Sequence, residues 1–178
     1  MSNAFRLVAN VTAIAGASAM LGCYALYASG ARINTTESIP VGLYWTAKQP
    51  IEKGAYVMFC PPRRALFDEA MERGYIGSGF CDGGYGYMMK RVLAAKGDTV
   101  TSDARGVFVN GVQVPHSIPL AVDDAGRPLP KFGVAALHLS QNELLLMSDV
   151  CDASFDGRYF GPIERRQIKW VVRPVFTW

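Results

Sequence analysis

The sequence predicts a mostly β domain of antiparallel strands, interrupted by one short helical excursion and preceded by an N-terminal transmembrane helix. Three observations carry this. Residues 7–31 form a run of twenty-five positions without a charge, bracketed by Arg6 and Arg32, and about 20 apolar residues suffice for a helix to cross a bilayer. Beyond it, short runs rich in Val, Ile, Tyr, Phe and Leu alternate with Gly, Asn, Asp and Pro, which is the pattern of strands and turns. Within "VFVNGVQV" the pair Asn110-Gly111 tolerates the positive backbone angles that a tight primed hairpin turn requires.

In chain order, residues 1–6 read as a short tail, expected on the cytoplasmic side because it carries Arg6 and the terminal amine. Residues 7–31 read as the anchor. Their Ala, Gly and Ser content makes a secretory signal the alternative, but the apolar core of a signal is about 7–15 residues and this run is longer. Residues 32–178 follow as one domain, expected in the periplasm with the anchor in the inner membrane. "GAYVMFC", "GYGYMMKRVLAA", "DTVTSD", "GVFVNGVQV", "ELLLMSD" and "IKWVVRPVF" are its strands. The helical excursion lies near Ala65–Arg73, between Pro and Gly punctuation. Residues 115–139 are Pro-rich and lack a period, and read as a long surface excursion.

Eighteen Lys and Arg against fifteen Asp and Glu give a formal charge of +3 with no dense basic run, which argues against a nucleic-acid partner. Of four cysteines, Cys23 falls in the anchor. The others would lie in a compartment that permits disulfides, and Cys60 and Cys81, which bracket the helical excursion, are the candidate pair. Without a Cys-x-x-Cys pair and with two histidines in all, a metal site has little support, and no cofactor is expected.

The stretch "NTTESIPVGLYW" sets Ser38 in a rigid apolar context, since Pro40 restricts Ile39 to extended geometry. A histidine triad does not suit it. His116 and His138 both lie in the irregular segment, and no G-x-S-x-G elbow surrounds Ser38. A lysine base does suit it. Lys90 follows an aromatic and methionine run inside a predicted strand, where burial would lower its pKa and let it accept a serine proton. Against this stands a lysine that snorkels from a strand edge. "SDVCDASFDGRYFGPI" adds Asp149, Asp152, Ser154, Asp156 and Arg158 in one turn-rich stretch, which could equally organise a loop through local hydrogen bonds.

The order "ESIPVGLY", "MMKRVLAAKGD", "VNG", "SDVCDASFDGRYFG" resembles the bacterial type I signal peptidase (leader peptidase) superfamily of serine-lysine proteases, and within it the TraF-type conjugative-transfer peptidases, over nearly the whole chain. The resemblance implies a signal-peptidase-type β fold, Ser38 as nucleophile, Lys90 as general base and Ser154 as the residue that orients it. It also implies that Thr36 and the Ser38 amide form the oxyanion hole, and that Asp156 and Arg158 end an acidic-basic turn. A carboxylate touching Lys90 would favour the ammonium, so Asp156 is expected to pair with Arg91 or Arg158. The sequence departs from the family pattern at Val150, Cys151 and Ala153, which thin the polar network, and at Ile39, where a methionine commonly stands.

The implied substrate is a membrane-associated propilin, trimmed near its C-terminus and closed head-to-tail, with type IV secretion or mating-pair components as further partners. Residues Ile39, Val41, Leu43, Tyr44 and Trp45 read either as core or as pocket wall and membrane contact. Two competing readings are a general type I signal peptidase that releases exported preproteins, and an inactive scaffold component of an envelope assembly machine.

Overall fold

A computed structural model describes residues 3–178, with side chains from residue 5 onward. The chain divides into two units, Met1–Arg32 and Ile33–Trp178. In the first, helix α1 spans Asn3–Ser29, and its stretch Phe5–Ser29 is long and apolar enough to cross a membrane. The helix thus begins inside the expected tail, whose residues 1 and 2 lie outside the described residues.

The rest of the chain forms eleven strands, two short α-helices and one 3-10 turn: β1 Ala31–Asn34, β2 Gly42–Ala47, β3 Tyr56–Phe59, α2 Ala65–Glu72, β4 Met88–Ala94, β5 Thr99–Asp103, β6 Gly106–Val109, β7 Val112–Gln113, β8 Val134–His138, β9 Glu143–Met147, α3 Gly157–Phe160, β10 Ile163–Glu164, the 3-10 turn Arg165–Gln167 and β11 Ile168–Thr177. They make a seven-stranded sheet in the order β1-β2-β11-β3-β4-β9-β10 and a four-stranded sheet in the order β7-β6-β5-β8. The pairings β11 with β2 and β3, β3 with β4, β4 with β9 and β5 with β6 are all antiparallel. The architecture is the mostly β, antiparallel one expected. The β6–β7 turn carries Asn110 at φ 52° and Gly111 at φ 81°, the primed geometry that splays neither strand.

Burial explains why some strands alternate and others do not. Along β9, Leu144 and Leu146 join the core built on Val57, Phe59, Phe67, Tyr85 and Phe160, while Leu145 and Met147 join a second core with Val100 and Val107. Both faces of β9 are covered, so the strand reads as a continuous apolar run. On β4 residues 88, 90, 92 and 94 are buried and the residues between them half-buried, which turns Lys90 inward and Arg91 to the opposite face.

One segment differs from its sequence reading. Residues 115–139 are not irregular throughout, because Val134–His138 pairs with β5, opposing Leu137 to Val100 and His138 to Thr99. Its two adjacent alanines leave Val134 as the one β-branched residue of that strand, a weak signature. Strands β1 and β2, helix α3 and the two-residue β10 were also not anticipated, and β1 takes Ala31, the last residue of the expected anchor. Cys60 and Cys81 are joined in a disulfide that closes the excursion containing α2, whereas Cys23 and Cys151 are free thiols.

Candidate active site

Ser38 lies in a turn between β1 and β2, half-buried, followed by the fully buried Ile39. The turn is held from β1. Asn34, 4 % exposed, donates through Nδ2 to the carbonyls of Thr36 (2.7 Å), Ile39 (2.9 Å) and Pro40 (3.1 Å). Its Oδ1 accepts from the Thr36 amide (3.3 Å) and the Thr36 hydroxyl (3.0 Å). Tyr44, buried on β2, donates its hydroxyl to the Pro40 carbonyl at 2.6 Å. Of the apolar residues after Ser38, Ile39 and Tyr44 are core, while Val41, Leu43 and Trp45 are half-buried.

Lys90 comes from the inward face of β4 and is 2 % exposed. Its Nζ donates to Ser154 Oγ at 2.8 Å, and Ser154 Oγ lies 3.4 Å from Ser38 Oγ. The three groups form one row, although residues 38, 90 and 154 are far apart in sequence. Ser154 therefore hydrogen-bonds to both of the others and not to the lysine alone. Burial pushes the Lys90 ammonium from 10.5 down to about 8; the negative Asp156 opposes the shift and the positive Arg158 assists it. That change corresponds to about 3 kcal/mol against the charged form.

The loop that presents Ser154 is fixed by a buried ion pair. Asp156 and Arg158 are both fully buried. Asp156 Oδ1 accepts from Arg158 Nε (2.8 Å) and the Arg158 amide (3.1 Å), and Oδ2 from Arg158 Nη2 (2.9 Å) and the Ser148 amide (2.9 Å). Arg158 also donates to the carbonyls of Asp152 and Cys151. Next to the pair, a Cβ on Gly157 would stand 2.8 Å from Leu145 Cδ1 and 3.0 Å from the Leu146 carbonyl oxygen, so α3 can lie this close to β9 only with glycine there. Of the two expected partners for Asp156, Arg158 takes the role. Arg91 faces away from Lys90 and pairs with Asp149.

The hydrogen bonds of the two histidines lead to residues outside this row. His138 Nδ1 meets Thr99 Oγ1 at 2.9 Å between β8 and β5, and His116 Nδ1 meets Asp152 at 3.1 Å on the surface. Among the described residues no group of three His, Cys, Asp or Glu could hold a metal. A cleft of about 200 Å³ opens over Ser38 and Lys90, lined by Thr36, Met58, Tyr75, Tyr87 and Met89 among others. Asn34 escaped the sequence reading. An asparagine at a strand end reads as turn punctuation, and only its spacing from Thr36 and Pro40 could have marked it.

A cleft with a serine hydroxyl at its wall and a buried lysine amine behind it is an arrangement that suits the class of serine peptidases. Residues 5–177 match the family described as signal peptidase, peptidase S26, and the chain belongs to that family. It is 60 % identical to "Plasmid transfer protein TraF" of Escherichia coli over 178 residues, the whole of both chains. It is 37 % identical to "Conjugal transfer protein TraF" of Agrobacterium fabrum over 150 residues, 83 % of each. A crystal structure of a signal peptidase I from Enterococcus faecalis aligns over 71 % of this chain and 98 % of that one, with a TM-score of 0.39 and 16 % identity.

Proposed function

We propose that this chain is a membrane-anchored serine endopeptidase in which Ser38 is the nucleophile and Lys90 the general base, and that it matures a conjugative propilin for pilus assembly and plasmid transfer. The observation that carries the reading is the hydrogen-bonded row Lys90–Ser154–Ser38. Residues 7–31 are the anchor, and residues 32–178 work on the periplasmic face of the inner membrane. The printed names of the relatives, which concern plasmid and conjugal transfer, favour a pilin over the run of exported preproteins.

Chemistry follows from the protonation of Lys90. As an ammonium it donates to Ser154, and the row points toward Ser38 with no acceptor for the serine proton. As a neutral amine it accepts, the hydroxyl rotors reverse, and Ser38 donates to Ser154 while Ser154 donates to Lys90. Ser38 Oγ then attacks a peptide carbonyl as its proton passes along the row. The Ser38 amide and the Thr36 hydroxyl stabilise the oxyanion, and Lys90 returns a proton to the leaving amine. The C-terminal fragment departs and an ester joins Ser38 to the remaining chain. The substrate's own amino terminus, at high effective concentration, attacks that ester. An amide forms, the Ser38 Oγ–acyl bond breaks, and the product is cyclic.

Activity should therefore follow the neutral fraction of Lys90. Below pH 8 the rate is expected to rise about tenfold per pH unit, levelling above the Lys90 pKa of about 8. A profile of kcat/KM against pH checks this, and a plateau reached only above pH 10 would show a lysine with its ordinary pKa.

The direct test is intact-mass analysis of a propilin after incubation with wild-type protein and with Ser38→Ala, beside an unrelated preprotein. Wild type is expected to trim the propilin to a mass one water lighter than the linear product, and Ser38→Ala to leave it whole. A trimmed linear mass would reject cyclisation. Cleavage of the preprotein alone would replace the pilin reading with that of a general signal peptidase.

A further inference from the structure

We propose that Asn34 is a positioning residue that presets the nucleophile turn and aims the Thr36 hydroxyl at the oxyanion. The argument starts from what the turn lacks. Among the described residues, no backbone–backbone hydrogen bond closes residues 35–40. Backbone polar groups in partly buried turns need partners, and here one side chain supplies most of them: the carbonyls of Thr36, Ile39 and Pro40 and the Thr36 amide all bond to Asn34. These four groups flank Ser38 on both sides.

The orientation of the Asn34 amide is dictated by its neighbours. Its nitrogen faces three carbonyl oxygens, which can only accept, and its oxygen faces the Thr36 N–H, which can only donate. The Thr36 hydroxyl consequently gives its proton to Asn34 Oδ1. During turnover that proton can swing from Oδ1 to the oxyanion, and Oδ1 still keeps the Thr36 amide, so no buried polar atom is stranded. Asparagine fits this task where its nearest relatives do not: aspartate lacks the two N–H donors, and glutamine is one methylene longer.

The effect on rate rests on the peptidase reading; the effect on the turn does not. Two measurements on the full-length chain separate them. Glu37 is exposed within the turn, so a glutamyl endopeptidase reports its opening directly. Asn34→Ala is expected to be cut after Glu37 about tenfold faster than wild type, with cuts at other glutamates unchanged. Asn34→Asp, which keeps the acceptor and loses all three donations, is expected to behave likewise and serves if the alanine variant does not fold.

In the processing assay Asn34→Ala should lower kcat about 10²-fold, leave KM within about threefold, and leave the pH midpoint set by Lys90 in place. Combined with Thr36→Val, its loss should fall well short of the product of the two single losses. Equal cutting at Glu37 in variant and wild type overturns the clamp whatever the activity. A fully multiplicative double variant overturns the route through Thr36. If Ser38→Ala still processes substrate, the peptidase reading fails and the Glu37 cutting alone decides the clamp.

Discussion

Lys90→Met is expected to lower processing by about 10⁴-fold and, unusually for a change at a buried position, to make the fold more stable near neutral pH. Both outcomes follow from one fact, the burial of Lys90 with its ammonium held down to about 8. Methionine fills the same channel without a charge, but it cannot take a proton from Ser154, so the row cannot reverse. The stability effect has a defined sign. Below pH 8 wild type carries the proton in both folded and unfolded states and bears about 3 kcal/mol for burying it. Between 8 and 10.5 only the unfolded chain holds the proton, so wild type gains stability as pH rises.

The melting temperature of Lys90→Met should therefore exceed that of wild type at pH 7, less the roughly 1 kcal/mol lost with the Ser154 bond. The gap should close at about pH 9.5 and reverse, by about 1 kcal/mol, as pH approaches 10.5. At about 2–4 °C per kcal/mol for a domain of this size, the shift at pH 7 is about 4–8 °C. Scanning calorimetry from pH 6 to 10.5 checks it. A gap that does not change with pH would mean that Lys90 binds its proton equally in the folded and unfolded states, so that burial does not shift its pKa.

The strand pattern and the position of Lys90 were legible in the sequence for the same reason. A period of two over "MMKRVLA" commits alternate residues to one buried face, and a lysine on that face must be neutral or bonded. The same alternation held a signal about Arg91 that pairing by charge alone missed. A residue adjacent to Lys90 points to the other face of the sheet, so Arg91 could not share Asp156 with Lys90's surroundings, and it meets Asp149 instead. Strand β8 was hidden because its Ala135 and Ala136 carry no strand signature of their own; it exists because β5 offers an edge to pair with. Asn34 was hidden for a deeper reason. Its role depends on the chain folding back so that residues 36, 39 and 40 present their carbonyls to one point, a convergence that no local propensity encodes.

Asp156→Asn should cost about 3–5 kcal/mol, because it leaves the fully buried Arg158 guanidinium without its counter-charge. The melting temperature should fall by about 6–20 °C. The variant also tests what Asp156 does for Lys90. In the native site desolvation is the largest cause of the Lys90 shift, Asp156 raises the pKa against it and Arg158 lowers it. Removing the carboxylate leaves only the repulsive partner, and the acid limb of the pH profile of the folded fraction should move to lower pH. A carboxylate needed to assist the base directly would give a different result: loss of rate at every pH, with the limb in place. Replacing both partners, as Asp156→Leu with Arg158→Met, removes the stranded charge and should recover much of the lost stability, since an apolar pair of similar volume can replace a buried ion pair without net loss. Ser154 sits two residues before Asp156 on the same loop, so recovery of processing along with stability would place Asp156 in the scaffold of that serine. Recovery of stability with no return of rate would move Asp156 into the chemistry.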